Sequence, residues 1–239
     1  DVLLMTNSTK IFGTSMLING PSWSISSEII SYAVFGVLFV FLNKKFRNLM
    51  FGIIIVFSCI ILYFQGNFFS GEDYGFVRGL VGFFSGYFTW VLSKKQDKLS
   101  NLFEFLFPIL IITLFYFLHL TSSGTSKIGL PISIILTPLV FSCIILFFTK
   151  TNGVFSLILE LKPIQYLGQI SYSLYLNHTI IILVVPKILN RIFQIRLSLS
   201  LELIITLVVL IIYSHITYKF IELKVGNYLK SRLIKYKFL

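Results

Sequence analysis

Seven long apolar runs restrict what this chain can fold into. They lie near residues 27–42, 49–64, 76–92, 102–120, 130–149, 167–186 and 200–221. A helix that crosses a bilayer needs roughly 20 mostly apolar residues, and each run meets or approaches that length. The runs are continuous rather than alternating, which is typical of helices and not of barrel strands. The sequence therefore predicts an all-α, polytopic transmembrane helix bundle of about seven spans, forming one domain over residues 1–239.

The composition supports a membrane protein and excludes other classes. Hydrophobic residues make up 56% of the chain and charged residues 12%, whereas soluble domains have about 45–50% and about 25%. The net charge of +11 comes from Lys and Arg in short loops between the apolar runs, not from a basic folded face of the kind that binds nucleic acid. We therefore exclude a soluble enzyme, a disordered chain and a nucleic-acid-binding domain, and we expect the lipid bilayer as partner.

The distribution of Lys and Arg predicts the orientation of the spans, because cytoplasmic loops carry the excess of positive charge. One side holds 14 of these residues and the other holds 5. The 14 are Lys44, Lys45, Arg47, Lys94, Lys95, Lys98, Lys150, Lys162, Lys219, Lys224, Lys230, Arg232, Lys235 and Lys237. We expect a multi-pass protein of the cytoplasmic (inner) membrane, with the C-terminus in the cytoplasm and residues 1–26 outside. An odd number of spans would then precede Asp1 in the full protein.

A polar segment lies at the start of the first run. Ser24, Glu28 and Tyr32 are spaced i, i+4 and i+8, so a helix places them on one face. They fit an ordinary helix start, with Ser24 or Ser26 as N-cap and Trp23 as an interface anchor. They also fit a carboxylate and hydroxyls at the outer mouth of a cavity. The pattern leaves both interpretations open.

Arg78 is an ionisable residue inside a span, where charges are costly and usually face the bundle interior. Gly75, Gly79, Gly82 and Gly86 surround it at a spacing that allows close helix approach. The guanidinium can snorkel to water or lipid phosphate, or it can bind a carboxylate or an anionic ligand. Because the predicted topology puts Glu28 at the same depth, we expect Glu28 to be its partner.

A third polar stripe combines Ser171, Tyr175 and His178 at i, i+4 and i+7. His178 either bonds to a neighbouring helix or relays protons near neutral pH. His215, Tyr218 and Glu222 form a weaker stripe of the same kind. The three histidines fall on three spans without metal-ligand spacing, so no metal site is predicted. The remaining polar residues near span ends, expected to be interfacial, are Glu104, His119 and Glu202.

Four segments, in order along the chain, resemble the acyltransferase-3 family of membrane O-acyltransferases. They run from Pro21 to Tyr32 (PSWSISSEIISY), from Arg78 to Gly86 (RGLVGFFSG), from Tyr166 to His178 (YLGQISYSLYLNH) and from Tyr218 to Glu222 (YKFIE). The chain looks like the last seven of about ten spans in that family. The family's candidate catalytic Arg and His would then lie in a part that precedes Asp1.

The resemblance implies transfer of an acyl group, usually acetyl, from cytoplasmic acyl-CoA to a hydroxyl of an extracytoplasmic glycan or lipid-linked sugar. Acyl-CoA is then the donor substrate, and no bound cofactor is expected. The implied catalytic residues are Arg78, for anion or oxyanion stabilisation, and Glu28, for orienting Arg78 or the preceding His. The implied substrate-binding residues are Trp23, Ser24, Ser26 and Tyr32 at the outer mouth, with Tyr175 and His178 lining the cavity or relaying protons.

Two other functions fit the same pattern. A transporter or flippase for a polysaccharide precursor or acyl donor would use the cavity without covalent chemistry, although the prolines show no pairing between two halves. An inactive, truncated homologue would bind a partner instead. Lys44, Lys45, Lys94 and Lys95 are placed to attract CoA phosphates, but the rule that orients the spans already explains them.

Overall fold

The computed structural model describes residues 22–66, 68–69, 75–124, 128–191, 198–228 and 231. Throughout this part all regular structure is helical, and seven helices are long and apolar enough to cross a membrane. The predicted all-α polytopic bundle is therefore confirmed. Pro21, the first residue of the first of the four segments, lies outside the described residues. The α-helices are α1 Ser22–Phe41, α2 Lys44–Gln65, α3 Gly75–Lys95, α4 Leu106–Ser122, α5 Gly129–Lys150, α6 Val154–Leu159, α7 Lys162–Gln169, α8 Ser171–Arg191 and α9 Leu199–Thr217.

The helices form two compact units. In the first, which holds α1 to α6, α3 lies at the centre and packs against α1, α2 and α5, while α4 packs against α5. In the second, α8 and α9 form an antiparallel pair that follows the short α7. The chain alternates direction through α1, α2 and α3, so α1 and α3 run parallel. We call the end of the first unit where α1 and α3 finish its basic end, because Lys94 and Lys95 lie there.

Aromatic packing holds α1, α2 and α3 together. Phe51 of α2 is fully buried, and its ring stacks on Phe84 of α3 with 4.5 Å between ring centroids. Phe35 of α1 stacks on Phe51 from another side at 5.5 Å. Large aromatic side chains contribute most of the packing energy in a core of this kind. The turn before α2 is set locally, because the Asn43 side chain accepts a hydrogen bond from the Phe46 N–H and caps the helix.

The backbones of α1 and α3 approach closely where a serine meets a glycine. A Cβ atom added to Gly79 would lie 1.8 Å from Ser27 Oγ. Ser27 Oγ also donates a long hydrogen bond of 3.5 Å to the Gly75 carbonyl. A side chain at position 79 would therefore displace the Ser27 hydroxyl, so the glycine permits this close approach, as the spacing predicts. The same prediction is wrong for Gly82 and Gly86, because a Cβ there would meet nothing within 4 Å.

The buried carboxylate of Glu104 links the segment before α4 to the segment between α5 and α6. Glu104 lies in a 3₁₀ helix, Asn101–Phe105, just before α4, and is 1% exposed. Its oxygens accept hydrogen bonds from the Thr151 and Ser156 hydroxyls at 2.6 and 2.5 Å. They also accept from the N–H groups of Gly153 and Phe155 at 2.7 and 2.8 Å. Glu104 therefore lies near a span end, as predicted, but donors from the segment that leads into α6 surround its carboxylate. Its position at the membrane interface stays a prediction.

The second unit departs from the predicted boundaries at both ends. The expected span from 167 to 186 begins instead at Ser171, because α7 ends at Gln169 and buried Ile170 separates it from α8. At the other end α9 continues into a π-helical segment, Tyr218–Val225. Such segments are rare and occur frequently at functional sites.

We expect Gly79→Leu to destabilise the first unit, because its side chain would enter the space that Ser27 occupies. Overpacking costs about 1–3 kcal/mol, which lowers the thermal midpoint by roughly 2–10 °C. Thermal unfolding of the purified protein in detergent measures this shift. Gly36→Leu on α1 is the matched control, because a Cβ at Gly36 meets nothing within 4 Å. Equal midpoints for the two variants would contradict the packing assignment.

We also expect Glu104→Gln to lower stability by about 2–3 kcal/mol, because the amide NH₂ would face N–H donors and leave hydrogen bonds to a charged group unmade. The control is Glu160→Gln, since Glu160 is exposed. The same thermal measurement applies. A midpoint for Glu104→Gln equal to that of the control would show that the hydrogen bonds around Glu104 contribute nothing to stability.

Candidate functional site

A cavity of about 930 Å³ opens at the basic end of the first unit. Its walls combine aromatic rings with cations, and its described lining residues include no carboxylate. We call it the basic cavity. It is lined by Phe35, Phe39, Lys44, Arg47, Gly82, Phe83, Gly86, Tyr87, Trp90, Val91, Lys94 and Lys95. An open cavity with four cations is suited to an anionic ligand that also has apolar or aromatic parts.

Two of these cations are held against the aromatic walls. The Arg47 guanidinium lies 4.1 Å from the Phe39 ring centroid, and the Lys94 ammonium lies 4.1 Å from that of Trp90. Cation–π contacts of this kind orient a charge without neutralising it. Among the described residues, the buried Arg47 Nε has no hydrogen-bond partner. A buried donor without an acceptor is costly.

A second, smaller cavity of about 260 Å³ contains Arg78, and we call it the Arg78 cavity. It shares Gly82 and Gly86 with the basic cavity. A Cβ at either glycine would meet nothing within 4 Å, so a cavity reaches the α3 backbone at both positions. From Arg78 to Lys94 the helix rises about 24 Å at 1.5 Å per residue. Gly82 and Gly86, which we call the glycine stripe, therefore lie on α3 between Arg78 near one end of the unit and the cations at the other end.

Arg78 is held by aromatic rings and a carbonyl. Its guanidinium lies 4.6 Å from the Trp23 ring centroid and 5.6 Å from the Phe68 ring centroid. It also donates a hydrogen bond to the Phe68 carbonyl. None of these three groups carries a negative charge. The close approach of α1 to α3 at Gly79 is what places Trp23 beside Arg78.

The described residues contain no ion pair between Glu28 and Arg78. The prediction that these two residues are partners is therefore wrong. Glu28 is exposed on α1, while the neighbouring Ser27 turns toward α3 and meets Gly79. Successive residues of a helix point about 100° apart, so the face that carries Ser27 cannot also present Glu28 to α3. The catalytic roles assigned to Glu28 and Arg78 stay predictions.

The other residues predicted at the outer mouth differ in burial. Trp23 and Ser24 are half-buried, and Ser26 is fully buried. Tyr32 is 57% exposed, and its ring meets the edge of Phe83 at 5.5 Å. The predicted stripe of Ser24, Glu28 and Tyr32 thus has two exposed members, and it is separate from the buried serine face. Roles in substrate binding stay predictions for these residues.

In the second unit, His178 bonds within its own helix. Its Nδ1 meets the Tyr175 carbonyl, and its Nε2 lies 3.4 Å from the Thr179 hydroxyl. These contacts therefore do not support the interpretation in which His178 bonds to a neighbouring helix. Tyr175 is 38% exposed, and its ring centroid lies 5.5 Å from that of His178. Their predicted roles in cavity lining or proton relay are not tested by these contacts.

Hydrogen bonds join α8 to the end of α9 and to the π-helical segment after it, and of the four residues that make them the sequence indicated only Glu222. Asn177 donates to the Thr217 hydroxyl at 2.8 Å. Ser173 donates to the Glu222 carboxylate at 3.2 Å. Ser173 and Asn177 are four residues apart, so their shared helical face was available as a signal. Such bonds hold transmembrane helices together, and we assign them to packing.

Comparison with known proteins agrees with the fold and the motifs. Residues 2–219 match the profile of the Acyl_transf_3 family, described as an acyltransferase domain. The chain therefore belongs to the acyltransferase-3 family, as its four segments indicate. Family membership together with seven apolar helices makes it a membrane-bound acyltransferase. No curated protein and no solved structure matches the chain. Within the described residues there is no group of His, Cys, Asp or Glu that could hold a metal ion.

We expect the glycine stripe to be open to small reagents. In a variant without Cys59 and Cys143, a cysteine placed by Gly86→Cys should react with a small maleimide at least about tenfold faster than one placed by Ser133→Cys. Ser133 is fully buried on α5 and provides the matched control. Mass spectrometry of the labelled protein gives both rates. Equal rates would show that no open space lies over Gly86.

Proposed function

We propose that this protein is an O-acyltransferase of the cytoplasmic membrane. It takes an acyl group, acetyl in the simplest case, from cytoplasmic acyl-CoA and transfers it to a hydroxyl of an extracytoplasmic glycan or lipid-linked sugar. The observation that carries the proposal is the shared lining of the basic cavity and the Arg78 cavity at Gly82 and Gly86. The distribution of Lys and Arg supports a cytoplasmic basic end and a cytoplasmic C-terminus.

The basic cavity suits the CoA part of the donor. CoA carries phosphate groups at one end, and Lys44, Arg47, Lys94 and Lys95 provide the matching cations. Its adenine ring can stack on the aromatic walls. The positive-inside rule explains why lysines are at this end. It does not explain why Arg47 and Lys94 are held against aromatic rings beside the cavity, and a phosphate ligand would use cations that are fixed in this way.

The glycine stripe suits the rest of the donor. The pantetheine arm of CoA is long, narrow and uncharged, so it fits a passage lined by Gly82 and Gly86. Laid along α3, it would carry the thioester from the basic cavity toward Arg78. This arrangement would keep the charged nucleotide at the cytoplasmic end while the reacting carbonyl lies deep in the membrane protein. It would therefore remove the need to move CoA itself across the bilayer.

The reaction exchanges a thioester for an ester. The acceptor oxygen attacks the thioester carbonyl carbon, the carbon–sulfur bond breaks, and the acceptor proton ends on the CoA thiol. Arg78 would stabilise the negative charge that develops on the carbonyl oxygen, since its contacts with Trp23 and Phe68 already fix its position. Glu28 is exposed near the same end of the unit. It would take the proton from the acceptor hydroxyl and pass it on to the sulfur of CoA.

The remaining predicted residues would serve the acceptor. Trp23 has one face against Arg78, and its indole is suited to stacking on a sugar ring. Ser24 and Tyr32 offer hydroxyls on the same helix, and Ser26 would support this face from its buried position. Tyr175 and His178, which lie in the second unit, keep their predicted roles in cavity lining or proton relay.

The proposal predicts that ester on the cell-surface glycan depends on both ends of the glycine stripe. In cells that lack the protein, ester content should fall, and full-length protein should restore it. Arg78→Gln should lower the transfer rate about 10²–10³-fold, the effect of losing an oxyanion donor. Gly86→Leu should block transfer, whereas Gly36→Leu, at an equally open position on α1, should not. Ester is measured after mild alkaline release, with membrane insertion checked for each variant.

The donor site is tested in vesicles that contain the purified full-length protein. Arg47→Gln should raise KM for labelled acetyl-CoA about tenfold while kcat changes little, as expected for lost phosphate binding. The matched control is Lys45→Gln, since Lys45 is equally close in sequence but does not line the cavity. Movement of label across the membrane without ester formation would favour the transporter and overturn the enzyme. Unchanged ester in the deletion strain would overturn the glycan acceptor.

A further inference from the structure

A third cavity lies between α2, α3 and α5, with a volume of about 670 Å³, and we call it the apolar groove. Most of its lining is aliphatic or aromatic. Its lining residues are Ile55, Val56, Cys59, Ile60, Tyr63, Phe64, Ser85, Phe88, Thr89, Leu92, Pro131, Ile134, Ile135, Pro138, Leu139 and Ser142. Thr89 donates its hydroxyl proton to the Ser85 carbonyl at 2.9 Å, so its polar group is satisfied within α3. The groove is therefore suited to a hydrocarbon chain.

The apolar groove adjoins the Arg78 cavity. The two share Ile134, Pro138 and Ser142, all on α5. Pro138 lies inside the helix and has no N–H, so it cannot make the helical hydrogen bond to the Ile134 carbonyl. Proline commonly bends a helix at such a point. The position where α5 loses a hydrogen bond is thus the position where the two cavities meet.

The three cavities follow one another through shared residues. Gly82 and Gly86 join the basic cavity to the Arg78 cavity, and the α5 residues join the Arg78 cavity to the apolar groove. The basic cavity is cationic and aromatic, the Arg78 cavity contains one arginine, and the apolar groove is lined mostly by hydrocarbon. A molecule that matches this order has an anionic head, a polar reacting group and a hydrocarbon tail. A fatty acyl-CoA has these three parts in that sequence.

We infer that the apolar groove binds the hydrocarbon chain of a fatty acyl-CoA, so that this protein transfers long-chain acyl groups. The inference rests on the proposed function and names its donor class. An acetyl group would end in the Arg78 cavity and leave the groove without substrate. A longer chain gains about 0.8 kcal/mol for each methylene that it buries. The reaction is unchanged: the acyl carbon exchanges sulfur for the acceptor oxygen, and the acceptor proton passes to CoA.

Natural cysteines permit a binding test that does not depend on activity. Cys59 lines the groove, whereas Cys143 lies outside the three cavities, and both are free thiols. In the full-length protein, palmitoyl-CoA should slow alkylation of Cys59 by an N-alkyl maleimide about fivefold or more, because a bound chain covers the thiol. Acetyl-CoA should leave the rate unchanged. Cys143 should react equally under all conditions, which controls for effects of palmitoyl-CoA on the membrane.

The competing occupant of the groove is an ordinary bilayer lipid. Palmitate and a palmitoyl lysophospholipid, at the same concentration as palmitoyl-CoA, supply the chain without the CoA head. If either protects Cys59 as well as palmitoyl-CoA does, the groove is a lipid site and the inference is overturned. Protection by palmitoyl-CoA alone supports it, because the cations of the basic cavity then contribute to binding.

A chain-length series completes the test. We expect ester transfer from palmitoyl-CoA to exceed transfer from acetyl-CoA, and Ile135→Trp to lower the palmitoyl-to-acetyl rate ratio about tenfold or more by filling the groove. The matched control is Ile112→Trp on α4: Ile112 is 69% exposed and Ile135 58% exposed, so neither substitution overpacks a core. Ile112 lies outside the three cavities.

The outcomes separate the inference from the proposed function. Transfer from acetyl-CoA alone, with Cys59 unprotected, overturns the inference and leaves the proposed function standing. An unchanged rate ratio in Ile135→Trp also overturns it. No ester from either donor overturns the proposed function, and protection of Cys59 by palmitoyl-CoA alone would then still support a fatty acyl-CoA site in the groove.

Discussion

The close approach of α1 to α3 at Ser27 and Gly79 is the contact on which the first unit depends. It sets the rotation of α1, because the face that carries Ser27 must point at α3. That rotation brings Trp23 onto the Arg78 guanidinium and Tyr32 to the edge of Phe83. It also leaves Gly82 and Gly86, about one and two turns beyond Arg78, facing open space. Gly79 thus closes the helix pair, and Gly82 and Gly86 line both the basic cavity and the Arg78 cavity.

The fold was predictable from the sequence because the length of an apolar run is a local property. Arg78 was recognised for a similar reason, since a charge inside a span stands out without knowledge of its neighbours. The Glu28 partner was not predictable, because depth alone says nothing about helix rotation. Glu104 was missed because its hydrogen-bond donors lie about 50 residues away in sequence. Long-range pairs of this kind follow from packing, and no local pattern encodes them.

In the second unit, too, the sequence pattern did not show which side chains face the neighbouring helix. The stripe of Ser171, Tyr175 and His178 was selected because it contains the histidine, yet α8 turns Ser173 and Asn177 toward the end of α9. Both stripes have helical spacing, so periodicity alone could not choose between them. The choice is made by the hydroxyl and carboxylate that Thr217 and Glu222 present on the partner helix. Interhelical hydrogen bonds decided which face is inside.

The Glu104 network has a consequence for how the chain reaches its final topology. Glu104 precedes α4, and its donors follow α5, so the carboxylate meets them only after the chain has crossed the membrane twice and returned to the same side. Until then the charge has no internal partners and must stay hydrated. A hairpin that inserted only one of its two helices would leave Glu104 and the α6 N–H groups on opposite sides of the bilayer. The network can therefore form only around a correctly inserted pair of helices.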